Sequence, residues 1–290
     1  MRDMKRVVMW MAGALVSFSA LAVSIRSLSH GLNVYEILAV RNVGGLVALL
    51  GYALARRERV AGPFPLRIHL LRNVFHFGGQ TAWSYGITVL PLATVFSLEF
   101  TSPAWTTLLA VLFLGERLTA ARLGAVVLGF IGVMVILRPG IEGFQPAALI
   151  VLGAAACFGV QLTTTKFLTG TNSVLTIMVW MNLMQLPMYL GVNVATGGPL
   201  WFGGLLSWAE APALAVLCVA GLLAHVCLTN AFRYGDAIMV VPIDFLRIPV
   251  IATVGMLLYG ERFDPVILLG AAIIVSGIAW NLYDSRRRAG

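Results

Sequence analysis

Apolar residues run through this chain in long blocks rather than in alternating stripes. Ten blocks cover 7–28, 34–55, 68–90, 92–114, 121–138, 147–168, 173–195, 212–232, 237–259 and 266–283. Most reach the roughly 20 residues that an α-helix needs to cross the hydrocarbon core of a bilayer. Polarity does not change every second residue, so the blocks predict helices and not barrel strands. Short connections make consecutive helices antiparallel neighbours. The exception, 196–211, carries Pro199, Trp201, Trp208 and Glu210 and is expected to lie at the membrane interface.

The first block follows a basic start, Met1–Arg6, and contains Ala20-Leu21-Ala22, which imitates a signal peptide and its cleavage site. It is nonetheless expected to stay, because it has a counterpart in the second half of the chain. The halves repeat each other. Leu114-Gly115-Glu116-Arg117-Leu118 returns as Tyr259-Gly260-Glu261-Arg262-Phe263 at an offset of 145, and Glu99 meets Asp244 and Gly132 meets Gly277 at the same offset. At an offset of 140, Gly13 meets Gly153, Phe18 meets Phe158, Arg26 meets Lys166 and Asn42 meets Asn182; at 149, His76 meets His225 and Tyr85 meets Tyr234. Five blocks per half is an odd number, so the second copy enters the membrane from the other side. Such inverted repeats bracket a site near the bilayer midplane in transporters.

Composition sharpens this picture. The chain has 20 Lys+Arg and 12 Asp+Glu, 11% of its residues, against about 25% in an ordinary soluble domain. That excludes a water-soluble enzyme, a DNA-binding protein and a disordered chain. The net charge of +8 invites a nucleic-acid partner, but its placement points to lipid. With the N-terminus inside, Arg2, Lys5, Arg6, Arg56, Arg57, Arg59, Arg67, Arg72, Arg117, Arg122, Lys166, Arg233 and Arg286–Arg288 fall on the cytoplasmic side. Only Arg26, Arg138 and Arg262 fall outside. The asymmetry predicts both termini in the cytoplasm. Cys157, Cys218 and Cys227 sit in apolar blocks without metal spacing and read as packing residues. No metal or cofactor is expected.

Charges inside the spans are the first candidates for chemistry. Arg41, Glu99, Asp244 and Arg247 sum to zero, and such residues face a bundle interior and pair. Arg41 and Arg247 are expected to neutralise Glu99 and Asp244, directly or through substrate, with Arg41 the better candidate for binding substrate. A pair of structural ion pairs is the alternative. Asn73, His76, Gln80 and Trp83 form one stripe of the third span, which suits a cavity wall; polar contacts between helices are the competing reading. Gln161 in the sixth span, with Phe158 and Thr165, and Asn42 with its counterpart Asn182 extend the polar set. Trp105 and Trp180 are candidate aromatic walls. His76 and His225 are candidate proton carriers, which makes a proton a candidate coupling ion. Pro103 and Pro249 are near-equivalent helix interruptions. Gly115 and Gly260 suit helix C-caps, and Glu116 and Glu261 suit ties between loops. The chain has no phosphate loop, no Ser/His/Asp constellation and no H-E-x-x-H motif, so no enzyme is expected.

The ten spans, the two five-helix halves and the repeated Gly-Glu motif resemble the drug/metabolite transporter superfamily, in its ten-helix bacterial EamA-type branch, over essentially the whole chain. The resemblance implies a basket of helices around a central cavity lined by spans one to four and six to nine, with spans five and ten peripheral. It also implies residence in a bacterial inner membrane. The expected molecule is therefore an all-α integral membrane protein of ten transmembrane helices, arranged as two inverted five-helix repeats, 1–140 and 141–290. It is expected to move a small polar organic metabolite, amino-acid-like or vitamin-like, by alternating access. An uptake permease for a riboflavin-like or nucleotide-like metabolite is the variant reading. A non-transporting membrane receptor or enzyme is the rival from another class.

Overall fold

A computed structural model describes residues 4–60, 65–114, 119–138, 145–168, 171–200, 209–234, 243–244 and 246–289. The described elements are helices: α1 Met4–Leu28, α2 Val34–Arg56, α3 Leu66–Val89, α4 Leu92–Glu99, α5 Ser102–Leu114, α6 Ala120–Leu137, α7 Ala147–Leu168, α8 Val174–Ala195, α9 Ala211–Tyr234, α10 Arg247–Tyr259 and α11 Pro265–Ala289. Among the described residues, seven helices are long and apolar enough to cross a membrane: α1, α2, α6, α7, α8, α9 and α11. This is a multi-pass membrane fold.

The remaining blocks depart from the simple expectation for identifiable reasons. The fourth block is broken between Glu99 and Ser102, so α4 and α5 are separate helices. Pro103, just inside α5, lacks the N–H that a continuous helix would use there. The ninth block shows its described helix only from Arg247, and 235–242 lie outside the described residues. The two α5 and α10 starts, Ser102 and Arg247, are 145 residues apart, the offset of the sequence repeat. Helix α3 is long enough to span but too polar for the same criterion, because it buries His69, Arg72, Asn73, His76 and Gln80 while Leu70, Leu71, Val74 and Val89 are exposed. That inside-out pattern puts its hydrocarbon outward and its hydrogen-bonding groups inward.

Local chemistry sets the helix ends. Asn33 caps α2: its side chain accepts from the Tyr35 and Glu36 N–H groups, while Glu36 Oε2 accepts from the Asn33 N–H at 2.8 Å. Thr119 and Ser173 cap α6 and α8 more simply, accepting from the Arg122 and Thr176 N–H groups. Gly260 closes α10 with a left-handed φ of 63°, as the sequence suggested. Its counterpart Gly115, with Glu116, lies outside the described residues.

Apolar side chains such as Leu54 (80% exposed), Val47 and Leu257 cover the outer surface, where lipid would meet them. Helices pair mainly as α1 with α9, α3 with α7, α2 with α8, and α6 with α11. The last pair is built on small residues: a Cβ on Gly132 would stand 2.5 Å from the Gly270 carbonyl oxygen, and one on Gly277 would stand 3.1 Å from the Ala125 Cα. Such close backbone approach is how helices pack without a hydrophobic driving force between them.

Two arginines expected at the membrane edges are buried. Arg26 donates to Glu261 and to the Ile87 and Leu90 carbonyls. Glu261 also accepts from the Leu92 N–H at 3.0 Å, tying α1, the start of α4 and the end of α10. Arg72, read from sequence as cytoplasmic surface, is only 4% exposed. It donates to Thr165 Oγ1 at 2.7 Å and Asn73 Oδ1 at 3.3 Å, and contacts Met181 Sδ at 3.8 Å. Helices α7 and α8 close over it, and proximity to the start of α3 gives no hint of that.

Candidate functional site

The end of α4 and the start of α10 carry the charged heart of the molecule. Glu99 ends α4, and Asp244 lies three residues before Arg247 opens α10. Arg247 Nη2 donates to Asp244 Oδ2 at 2.6 Å, and Nη1 donates to Glu99 Oε1 at 3.3 Å. One guanidinium therefore holds both acids. Arg247 thus pairs directly, as expected of it, and it pairs with both acids; Arg41 touches neither. The Arg247 guanidinium also sits 4.3 Å from the Phe18 ring centre and 5.1 Å from that of Phe100. Aromatic faces on a desolvated cation are stabilising. Trp83 Nε1 donates to the second oxygen of Glu99 at 2.8 Å.

This cluster forms one wall of a cavity of about 290 Å³, close to the lower end of small-molecule sites. Of the residues singled out in the sequence, His76, Gln80, Trp83, Glu99, Pro103, Phe158, Gln161, His225, Asp244 and Arg247 line it. Phe18 and Phe100 line it too. The wall thus draws aromatic, amide and imidazole groups from α1, α3, α7 and α9.

Behind the wall runs a hydrogen-bonded network. The Gln185 amide approaches His76 Nδ1 at 2.8 Å and donates to Asn73 Oδ1 at 3.2 Å. Asn73 Nδ2 donates to the His69 carbonyl at 2.8 Å. Gln161 donates to Thr165 Oγ1 at 3.1 Å, the atom that also accepts from Arg72. Each bond fixes a side chain that faces the cavity or supports one that does.

The other expected site residues lie elsewhere. Asn73 supports His76 from behind the wall. Asn42 is fully buried on α2. Arg41 lines a smaller pocket. Trp105 packs edge-on against Phe130 at 5.5 Å, in a shallow apolar depression between α5, α6 and α7. Trp180, on α8, lines neither pocket. Sequence reasoning missed Arg72, Gln185, Phe100 and Leu228; burial signals for them come only from partners distant in the chain.

Comparison with known proteins decides the family. The EamA-like transporter family matches residues 5–138 and again residues 145–283. The chain belongs to the EamA-like transporter family. It is 33% identical over 286 residues to a riboflavin transporter of Rhizobium johnstonii, covering 97% of this chain and 92% of the relative. It is 28% identical over 281 residues to an S-adenosylmethionine uptake transporter of Rickettsia felis, covering 96% and 92%. A pseudopaline exporter of Pseudomonas aeruginosa is 26% identical, covering 90% of each. A solved crystal structure superposes with a TM-score of 0.64 at 19% identity, covering 98% of this chain and 99% of that one, and shows the same fold. This EamA protein is accordingly a metabolite transporter and not an enzyme.

Proposed function

We propose that this EamA protein is a secondary-active transporter that moves a flat heteroaromatic metabolite through the Arg247 cavity by alternating access. It works in a bacterial inner membrane with both termini in the cytoplasm. The observation that carries the substrate class is the cavity wall: Phe18, Trp83, Phe100 and Phe158 offer ring faces and edges, and His76, Gln80, Gln161 and His225 offer hydrogen bonds to the polar edge of a ring. Riboflavin and S-adenosylmethionine, named for two relatives, both carry such a ring system. Riboflavin is the first candidate.

A second reading follows from the charge of the cluster. With both acids ionised, Glu99, Asp244 and Arg247 leave one negative charge in the cavity. A coupling proton or a cationic substrate such as S-adenosylmethionine would neutralise it. The two readings separate by the pH dependence of riboflavin uptake.

The alternating-access part rests on the two halves being inverted copies. Support comes from the double family match, the helix starts at Ser102 and Arg247, and the reciprocal contacts Gly132–Gly270 and Gly277–Ala125. Exchanging the halves also turns the α1–α9 pair into the α7–α3 pair. Rocking one half against the other would open the cavity to each side in turn.

A thermal-shift screen of the purified protein against riboflavin, S-adenosylmethionine and the amino acids tests the substrate class. Stabilisation by a flat heteroaromatic, reduced at least tenfold in apparent affinity by Phe158→Ala, is expected. Stabilisation by aliphatic amino acids alone would contradict it.

A further inference from the structure

Arg41 lies on α2, only 8% exposed. Among the described residues it has no hydrogen bond and no ion pair. The acids of the neighbouring helices and loops are held elsewhere: Glu99 and Asp244 by Arg247, Glu36 by the Asn33 cap and Glu261 by Arg26. An arginine does not shed its proton, so a buried guanidinium without a counter-charge is expensive to maintain. Arg41 does not face a filled space. It lines a pocket of about 20 Å³ with Met181, Asn182, Cys218, Gly221 and His225. That is room for roughly one small group. No acidic residue lines it.

The surroundings add positive charge. Arg72 contacts Met181 from behind, and its described acceptors, Thr165 and Asn73, are neutral. Two glycines keep the pocket open: a Cβ on Gly221 would stand 3.2 Å from Arg41 Cδ, and one on Gly45 would stand 2.9 Å from Asn182 Oδ1. His225 lines both this pocket and the central cavity, so the two spaces share a wall.

We propose that Arg41 is a binding site for a small anion, set beside the metabolite cavity. The guanidinium fork would hold either a free inorganic anion such as chloride or the carboxylate end of a bound solute. The first source stands without the transport reading; the second rests on it.

The test is thermal unfolding of the purified full chain in gluconate, at constant ionic strength, with chloride, formate, S-adenosylmethionine or riboflavin added. Saturating ligand should raise the midpoint by about 2–4 °C. A shift with chloride or formate that Arg41→Gln abolishes identifies a free-anion site. A shift with S-adenosylmethionine alone, weakened more than tenfold in Arg41→Gln while riboflavin binding is unchanged, identifies a carboxylate subsite. Should Arg41→Gln fail to fold, Gly221→Ala narrows the pocket while keeping the charge, and should weaken the same shift at least threefold. No anion-dependent shift in the wild-type protein, or an equal shift in the variants, overturns the proposal. Anion binding by a protein that moves no solute would leave this site standing and remove the transport reading instead.

Discussion

Arg26 on α1 and Glu261 beyond the end of α10 form an ion pair across the whole sequence, with side-chain exposures of 11% and 13%. Glu261 also accepts from the Leu92 N–H, so one carboxylate joins both halves of the chain. Glu261→Gln leaves the guanidinium with two backbone carbonyls and should cost about 1–3 kcal/mol of stability. Thermal unfolding in detergent checks this. Arg26→Gln combined with Glu261→Gln should cost less than the two single changes added together, as expected for residues in contact.

If the Arg26–Glu261 pair closes one side of the membrane, locking it should stop transport. A disulfide between Arg26→Cys and Glu261→Cys should leave a Cys at Gln80 open to thiol reagents only from the cytoplasm. Access from both sides in the locked form would count against inverted gating.

Arg247 keeps one carboxylate when the other is neutralised. Glu99→Gln should therefore fold, because the 2.6 Å contact to Asp244 remains. It should still exchange substrate across proteoliposomes, yet lose accumulation driven by an imposed pH gradient. Asp244→Asn removes the shorter contact and should lower the yield of folded protein. Wild-type expression and wild-type pH-driven accumulation in both variants would show that the acids serve neither purpose.

Cavity access can be read position by position in a background lacking Cys157, Cys218 and Cys227. Cysteines replacing His76, Gln80 and Trp83 should react with a water-soluble thiol reagent and be protected by substrate. One replacing Asn73 should not, because that side chain lies behind the wall, and one replacing Leu71 faces outward. Uniform labelling of all five would mean that α3 has no cavity face.

How much of this was legible in the sequence depends on how local each signal is. The polar stripe of α3 was legible because its spacing belongs to one helix, and the Gly260 cap because it belongs to one turn. The Glu99 and Asp244 pairing with Arg247 was half legible: charge balance demanded partners, but the packing of α4 against α10 decided that one arginine serves both. Arg72 was misread, because a charge one and a half turns into a helix resembles a membrane-edge charge until Thr165 and Met181 close over it. Phe18 and Phe100 carry no distinguishing sign, since a phenylalanine facing lipid and one facing a cavity occupy the same kind of position in an apolar block.

The central claim, solute movement through the Arg247 cavity, is tested most directly by counterflow. Purified protein is reconstituted into vesicles loaded with unlabelled riboflavin, and entry of labelled riboflavin is followed. The account predicts saturable entry that overshoots equilibrium, depends on the internal riboflavin and is lost with Phe158→Ala. In parallel, S-adenosylmethionine replaces riboflavin on both sides. Entry of neither compound above protein-free vesicles, or entry that rises linearly without internal stimulation, would contradict it.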